Sequence, residues 1–341
     1  MITFYPFDDP NFNFETENLF HSKSWLSILK EQYNYEIKTA LNTETSESII
    51  FAVTGPFPAQ KIISLPFSDY TIPNVTSAES LKPFMEALVA NYLSSPIIIK
   101  APYSSEEIAK TGLGKVARTA MYHRVETAQA SQIEPALHSS FKRGIRKAEK
   151  SNVKISIKND EEALWTFYKI YHDLRLEKFN SIPQPYSFFK SIFNHFIKNK
   201  NGWIFQAEIN GEAVASAIVL KHKEILFYKF GASALSALEF RPNNLLFFEM
   251  LIFAAENGFE QVDLGLSGTG ESYKGLVRFK ESMGGQPHPI TWVRHDPAGY
   301  DDSVETAFKA VLGKLTDQIV KERMSPEKTS AFSEIIYPFF A

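Results

Sequence analysis

The stretch WIFQAEINGEAVASAIVLKHKEILFYKF (203–230) decides the fold. Apolar and polar residues alternate over 203–209 and again over 213–220, and a period of two predicts half-buried strands. The Asn-Gly pair at 210–211 is typical of a type I′ turn, which joins two antiparallel strands. A short polar turn then returns the chain as a third strand over 225–230. The second half of the chain is therefore predicted to contain an antiparallel meander.

The segments after the meander alternate between helix and strand. Pro242 and Gly258 stand where a helix begins and ends. The pattern predicts helices over 245–257 and 273–283, strands over 261–266 and 286–295, and a long amphipathic helix over 303–323.

The first half of the chain also mixes short strands with helices. Periodicity predicts strands over 48–54, 61–65, 97–100 and 118–125, and helices over 25–33, 80–93 and 141–150. We therefore predict a mixed α/β fold with two domains, each a mostly antiparallel sheet flanked by helices. The predicted boundaries are 1–140 for the N-terminal domain, 141–300 for the C-terminal domain, and 301–341 for a helical tail that packs back on them.

Composition excludes several classes of protein. The 341 residues contain no cysteine, which rules out disulfides, thiolate catalysis and cysteine-based zinc sites. The eight histidines show no metal-binding spacing, and no metal is expected. A net charge of −3 gives no basic excess that would favour a DNA partner. Because the sequence has neither a secretory signal pattern nor an apolar run of about 18 residues, we expect a cytoplasmic protein.

Six segments carry a family resemblance. They are HSKSW (21–25), LPFSDY (65–70), RGIRKAEKSNVKI (143–155), YKFGAS (228–233), the run from RPNNLL to VDLGLS (241–267) and GLVRFKESMGG (275–285). In this order and spacing they resemble the FemAB family of GNAT-type N-acyltransferases, which includes the ligases that build peptidoglycan bridges. The resemblance implies two tandem GNAT-like domains with the active cleft in the second. It also implies transfer of an aminoacyl group from aminoacyl-tRNA to an amine of a nucleotide-linked or lipid-linked cell-wall precursor peptide.

The loop Arg241–Leu246 bears on the donor. Enzymes of this superfamily that use acetyl-CoA carry a glycine-rich loop here, and Arg241 fits its first position. Asn244 and Leu246 replace the small residues that allow close approach of the backbone to a phosphate. We therefore favour aminoacyl-tRNA over acyl-CoA as donor. Asn243 and Asn244 either bind substrate or form a plain polar helix start.

Phe279-Lys280 is the leading candidate pair, because the family has an F-K pair at this position that is tied to substrate binding and transfer. A lysine there can stabilise a developing oxyanion or hold a phosphate. The alternative is a solvated helix lysine. Asp263 is a candidate to orient or deprotonate the attacking amine, or else caps the following loop. Tyr228 lies either in the acyl cleft or in the core.

Basic residues are candidates for binding a nucleotide diphosphate or the acceptor stem of a tRNA. They are Arg143, Arg146 and Lys147 on the basic helix, with Arg175 and Lys178 after the next helix. The alternative is a solvated charged face.

Three other interpretations remain open. In the first, the protein is an acyl-CoA-dependent N-acetyltransferase that acts on a small molecule or peptide. In the second, it is a non-catalytic module that binds a precursor. Separately, the apolar segment 335–340 either touches a membrane surface or, as we prefer, packs on the N-terminal domain.

Overall fold

The structure is a computed structural model that describes residues 1–12, 16–55, 60–127 and 129–340. The described residues form these strands: β1 (Ile2–Pro6), β2 (Glu36–Asn42), β3 (Ser48–Thr54), β4 (Lys61–Ile63), β5 (Ile97–Ala101), β6 (Lys115–Glu126), β7 (Lys154–Lys158), β8 (Gly202–Ile209), β9 (Glu212–His222), β10 (Ile225–Ser233), β11 (Gln261–Gly268) and β12 (Gln286–His295). They also form these helices: α1 (Lys23–Tyr33), α2 (Lys82–Asn91), α3 (Ser105–Thr111), α4 (Ala130–Ala136), α5 (Ser139–Lys150), α6 (Glu161–Glu177), α7 (Tyr186–Ile192), α8 (Pro242–Glu256), α9 (Lys274–Glu281), α10 (Ser303–Glu322) and α11 (Pro326–Ile336).

The chain divides into two compact units, and neither is continuous in sequence. The first unit consists of Met1–Tyr122, His288–Gly313 and Ile336–Ala341, and the second of His123–Pro287 and Lys314–Ile335. The division lies within β6 rather than at residue 140, because the end of β6 and the helices α4 and α5 pack with the second unit. The segment predicted as one tail, 301–341, is shared between the two units.

The first unit is built on antiparallel strands followed by one parallel pair. β1, β2, β3 and β4 are antiparallel neighbours, β4 and β5 are parallel, and β12 pairs antiparallel with β5. Apolar side chains of α2, including Phe84 and Leu88, pack with sheet residues such as Phe51 and Ile99 in the core.

The LPFSDY segment (65–70) follows β4, where β4 and β5 stop pairing. Leu65 and Phe67 both have a φ of 55°, a left-handed backbone that is uncommon for residues other than glycine. The buried ammonium of Lys100, on β5, donates to the carbonyls of Leu65 and Ser68 at 2.7 and 2.6 Å. The buried side chain of Lys100 therefore occupies the end of the parallel pair β4–β5.

The C-terminal segment 336–340 also packs in the first unit. The hydroxyl of Tyr35 donates to the carbonyl of Pro338 at 2.9 Å, and the ring of Tyr337 lies 5.7 Å from that of Phe67. These contacts are the ones expected of a tail that packs on the N-terminal part of the chain.

Glu305, in the first turn of α10, is the centre of an ion-pair cluster in the first unit. Its carboxylate lies 2.9 Å from Nη2 of Arg294, 2.8 Å from Nζ of Lys309 and 3.4 Å from Nζ of Lys61. Burial raises the pKa of Glu305, but the hydrogen bonds from Arg294 and Lys309 and the charges of Lys61 and Arg294 lower it well below its ordinary value.

This cluster predicts a pH-dependent contribution to stability. A carboxylate whose pKa is lower in the folded than in the unfolded state stabilises the fold above its unfolded pKa, and this contribution is lost as the pH falls. We expect Glu305→Gln to reduce the free energy of unfolding by about 1–3 kcal/mol at pH 7. The difference from wild type should shrink as the pH falls below 4.5, the ordinary pKa of the group. Denaturant unfolding at several pH values measures it.

The control for this prediction is Glu106→Gln, because Glu106 is an exposed carboxylate paired with Lys110 one turn away. Its removal should change stability little at any pH. A difference between Glu305→Gln and wild type that stays constant down to about pH 3 would contradict the prediction.

The second unit contains the predicted meander. β7, β8, β9 and β10 are antiparallel neighbours, and β11 pairs parallel with β10. Asn210 and Gly211 have φ values of 52° and 84°, and positive φ at both positions is what a type I′ turn requires. α5 and α8 pack on one face of this sheet, where Phe205 contacts Phe253, and α6 and α7 cover the other, where Phe230 contacts Phe189.

α11 packs on the α6–α7 side of the second unit. Ser333 Oγ donates to the carbonyl of Pro183 at 2.8 Å, Ser330 Oγ accepts from the backbone of Tyr186, and Nε2 of His172 lies 3.1 Å from Thr329 Oγ. α11 and α10 are the helices of the segment that the sequence predicts as a helical tail, 301–341.

Candidate active site

The parallel strands β10 and β11 separate along their length. Ile225–Phe227 pair with Gln261–Asp263, and the register between the two strands ends there. β10 continues to Ser233 and β11 to Gly268. The opening lies toward the carboxyl ends of two neighbouring parallel strands, the position where mixed sheets commonly bind ligands.

A β-bulge on β10 sets which side chains face this opening. The register of β10 against β9 shifts between Tyr228 and Phe230. In a regular strand these two side chains would share a face. Here Tyr228 packs on Phe247 of α8, whereas Phe230 packs on Phe189 on the opposite face of the sheet. The extra residue, Lys229, thus places the side chains of Tyr228 and Phe230 on opposite faces of the sheet at the opening.

Tyr228 extends along β10 over a glycine. A Cβ added at Gly231 would lie 1.9 Å from the hydroxyl oxygen of Tyr228, so that only glycine leaves room for the phenol. Tyr228 is half-buried and lies on the side of the sheet covered by α8. The structure therefore places this candidate both in the core and beside the opening, the two alternatives that periodicity left open.

Four aromatic rings connect the elements around the opening. Tyr228 lies 4.7 Å from Phe247, Phe247 lies 5.4 Å from Phe279, and Phe279 lies 5.5 Å from Phe141 of α5, all between ring centroids. The rings belong to β10, α8, α9 and α5 in turn. The predicted site residue Phe279 thus holds α9 against both neighbouring helices.

Lys280 is buried, with 3% of its surface exposed. Its ammonium donates to the carbonyl oxygens of Gly265 and Leu266, both at 2.9 Å. Both carbonyls belong to β11 beyond the point where it leaves β10. Lys280 is therefore not a solvated helix lysine, and it fixes a positive charge on the wall of the opening.

Asp263 is fully buried and has partners for both carboxylate oxygens. Oδ2 lies 3.3 Å from Nε of Arg124, and Oδ1 accepts from the backbone N–H of Gly265 at 2.8 Å. Gly265 has a φ of 72°, so the carboxylate holds the left-handed turn at which β11 bends away. A role for Asp263 in proton transfer stays a prediction. Arg124 was missed because nothing in its own segment relates it to residue 263.

The start of α8 is held by side chains from two other elements. Asn243 Oδ1 accepts from Ser233 Oγ, at the end of β10, at 2.8 Å. The amide of Asn244 lies against Gly144 of α5, where an added Cβ would be 2.3 Å from its Nδ2. Arg241 precedes the helix with a φ of 60°, and its side chain is exposed. The structure thus brings together the RGIRK and RPNNLL segments, which lie about 100 residues apart in the sequence.

The remaining basic candidates form two separate groups. Arg143, Arg146 and Lys147 are exposed on α5, whose apolar side packs on α8. Arg175 and Lys178 lie at the end of α6, where both cations flank the exposed ring of Phe179. Because α6 covers the other face of the sheet, the structure does not join the two groups.

A further titratable group was not predicted. Glu249 lies on α8, and burial together with the charges of Glu256 and Glu149 raises its pKa.

Across the four described ranges, no cluster of three or more His, Asp or Glu residues is arranged to bind a metal. No described helix is both long and apolar enough to cross a bilayer.

Residues 137–275 match the family model described as the acetyltransferase (GNAT) domain. This segment of the chain is therefore similar to a GNAT domain. The match covers the meander, α8 and β11, which surround the opening. The match confirms the predicted resemblance to GNAT proteins. It also confirms the prediction that the protein is an acyltransferase.

Solved structures share the fold over most of the chain. FemX covers 84% of the chain with 93% of its own length, at 12% identity and a TM-score of 0.58. L-PGS from Bacillus licheniformis covers 84% with 91% of its own length, at 14% identity and a TM-score of 0.53. A tandem GNAT protein from the clavulanic acid biosynthesis pathway covers 88% with 100% of its length, at 9% identity and a TM-score of 0.50. These likenesses confirm the predicted mixed α/β fold with tandem GNAT-like domains. No curated protein matches the sequence significantly.

Proposed function

We propose that this GNAT domain transfers an aminoacyl group from aminoacyl-tRNA to an amine of a cell-wall precursor peptide, at the opening between β10 and β11. The observation that carries the proposal is the start of α8. Asn244 stands where a CoA-binding loop would need a small residue, and its side chain is wedged against Gly144. The backbone there lacks the glycines that let it approach a pyrophosphate closely.

Two further features support a tRNA donor. The exposed cations Arg143, Arg146 and Lys147 lie on α5, which packs directly on α8, and a cationic helix face suits a nucleic-acid backbone. The solved structures with this fold also include FemX, L-PGS and a putative lysylphosphatidylglycerol synthetase from Agrobacterium fabrum. The name of the last of these indicates a lysyl group joined to an acceptor.

The proposed chemistry needs positioning more than side-chain catalysis. The amine nitrogen attacks the ester carbonyl of the aminoacyl-tRNA, a C–N bond forms and the ester C–O bond breaks. The amine loses one proton, and the ribose oxygen of the tRNA leaves as a hydroxyl. Holding both reactants in one opening supplies most of the advantage, since an aminoacyl ester is already activated.

Transfer of label tests the proposed reaction. The wild-type protein is incubated with a radiolabelled aminoacyl-tRNA pool or with labelled acetyl-CoA, and with a soluble UDP-linked muropeptide as acceptor. We expect label to move from tRNA. Label that moves from acetyl-CoA alone would overturn the choice of donor, and label that moves from neither would overturn the proposed reaction.

An acyl-CoA donor is the second candidate function. The matching family model is described as an acetyltransferase domain, and the tandem GNAT structure is described as the form without AcCoA. Stabilisation of the protein by millimolar CoA in a thermal shift assay would support this donor.

The α5 cations provide a prediction specific to tRNA. We expect the double variant Arg146→Glu/Lys147→Glu to bind aminoacyl-tRNA at least roughly tenfold more weakly and to reduce the salt dependence of binding by about two phosphate contacts. Filter binding at several salt concentrations measures both quantities. For the control, the single variant Arg146→Glu is compared with Lys169→Glu, which changes the net charge by the same amount, because Lys169 is exposed on α6, on the other face of the sheet. Equal weakening by both variants would mean that overall charge, and not the α5 face, determines binding.

A further inference from the structure

Ser267, near the end of β11, has a buried hydroxyl without a partner. Its side chain is 1% exposed, and its Oγ has no hydrogen-bond partner among the residues that the structure describes. Buried hydroxyl groups are normally hydrogen-bonded, because burial otherwise costs them their water without replacement. A group of this kind beside a predicted cleft indicates that something else supplies the partner.

The position of Ser267 relates it to the opening. It lies four residues beyond Asp263, the last residue of β11 in register with β10. The carbonyls of the two residues that precede it, Gly265 and Leu266, both accept from the ammonium of Lys280. The backbone immediately before the unpartnered hydroxyl is therefore held by Lys280 of α9, on the strand that forms one wall of the opening.

A short segment covers the strand next to Ser267. The ring of Tyr273 lies over Gly268, where an added Cβ would be 2.6 Å from the ring carbons Cδ2 and Cε2. Tyr273 itself is 40% exposed, and the segment around it contains Gly270 and Gly275, each with open space at the Cβ position. A displacement of this exposed ring and its glycine-rich segment would give a ligand access to the end of β11.

We propose that Ser267 is a substrate-binding residue whose hydroxyl oxygen accepts a hydrogen bond from the attacking amine of the acceptor. The inference rests on the proposed aminoacyl transfer and names the contact that holds its nucleophile. The site takes a primary amine in its neutral form, because a protonated amine has no lone pair with which to attack the ester carbonyl.

This arrangement prepares the amine for attack. One N–H of the amine points to Ser267 Oγ, which leaves the nitrogen lone pair free for the ester carbonyl. On attack the C–N bond forms, the ester C–O bond breaks, and the proton released by nitrogen goes to the departing ribose oxygen. Ser267 neither gains nor loses a proton over the reaction, so its contribution is orientation.

The test compares Ser267→Ala with a control serine in the same unit. Ser216 is equally buried, with 1% of its surface exposed, but its Oγ donates to the carbonyl of Phe205 at 3.1 Å. We expect Ser267→Ala to raise the KM for the UDP-linked muropeptide about tenfold, with little change in the KM for aminoacyl-tRNA. The melting temperature of the free protein should stay the same or rise, since an unpartnered polar group is removed. Ser216→Ala should show the reverse: a lower melting temperature and an unchanged KM for the acceptor.

Binding of the muropeptide, measured by calorimetry without donor, separates the two proposals. Weaker binding to Ser267→Ala than to wild type supports the contact, whether or not transfer occurs. If the wild type transfers label and Ser267→Ala has the same KM and the same muropeptide affinity as the wild type, the role of Ser267 is overturned. The proposed transfer reaction then stands. Wild type that binds the muropeptide but transfers nothing would overturn the transfer reaction and leave the contact to be judged by affinity. A lowered melting temperature with unchanged affinity would show that the hydroxyl is structural.

Discussion

Lys280→Met is expected to reduce aminoacyl transfer at least about a hundredfold and to lower the free energy of unfolding by about 2–5 kcal/mol. Methionine has a similar length but no charge and no N–H donor. The carbonyls of Gly265 and Leu266 would then remain buried without the ammonium that now bonds both at 2.9 Å. The part of β11 that forms the wall of the opening would lose its anchor to α9. Steady-state transfer and denaturant unfolding measure the two effects.

Lys274→Met is the matched control. Lys274 begins the same helix, is exposed, and pairs with Glu271 at the surface. Exposed pairs contribute little, so this variant should change stability by less than about 0.5 kcal/mol and leave transfer intact. Lys280→Met with wild-type stability and transfer would show that the two carbonyl contacts carry no function.

Gly144→Ala is expected to destabilise the second unit by about 1–3 kcal/mol and to reduce transfer, because the added methyl group has no room. Its Cβ would lie 2.3 Å from Nδ2 and 2.4 Å from Cγ of Asn244. Either α5 moves away from α8, or Asn244 changes rotamer and the start of α8 shifts. Both movements would alter the position of the basic face relative to the opening.

A second substitution tests the cause. Asn244→Ala removes the atoms that the new methyl group would meet, so the double variant Gly144→Ala/Asn244→Ala should be more stable than the sum of the single changes predicts. The double-mutant cycle is measured by denaturant unfolding. Strict additivity of the two changes would mean that the close approach of Gly144 and Asn244 does not limit the packing of α5 on α8.

The elements of the second unit could be predicted well because their signals are local. The meander, its Asn-Gly turn and the helix after Pro242 depend on neighbours within a few residues, and β12 has the bounds that its pattern predicts. β1, β2, β7, α3 and α4 were missed. β7 (Lys154–Lys158) alternates two isoleucines with charged and hydroxyl residues over only five positions, too short a pattern to distinguish from a loop.

The site was predictable only in part, for a related reason. The resemblance identified Phe279 and Lys280, but it could not tell whether the ammonium of Lys280 points to solvent or to backbone carbonyls. The partner of Asp263 is Arg124, 139 residues away, and the pairing depends on the end of β6 belonging to the second unit. Ser267 gave no signal, because an unpartnered hydroxyl is a property of the folded surroundings and not of the residue.

The interrupted make-up of the two units has a consequence for biosynthesis. As the chain leaves the ribosome, residues 1–122 emerge first, yet their unit also requires 288–313 and 336–341. Until β12 arrives, the side of β5 that pairs with it is a bare edge. The second unit in turn is completed only by 314–335, after β12 has been made. Neither unit is therefore complete until the last segments of the chain are synthesised, and the β5 edge is open to wrong pairing throughout the synthesis of 123–287.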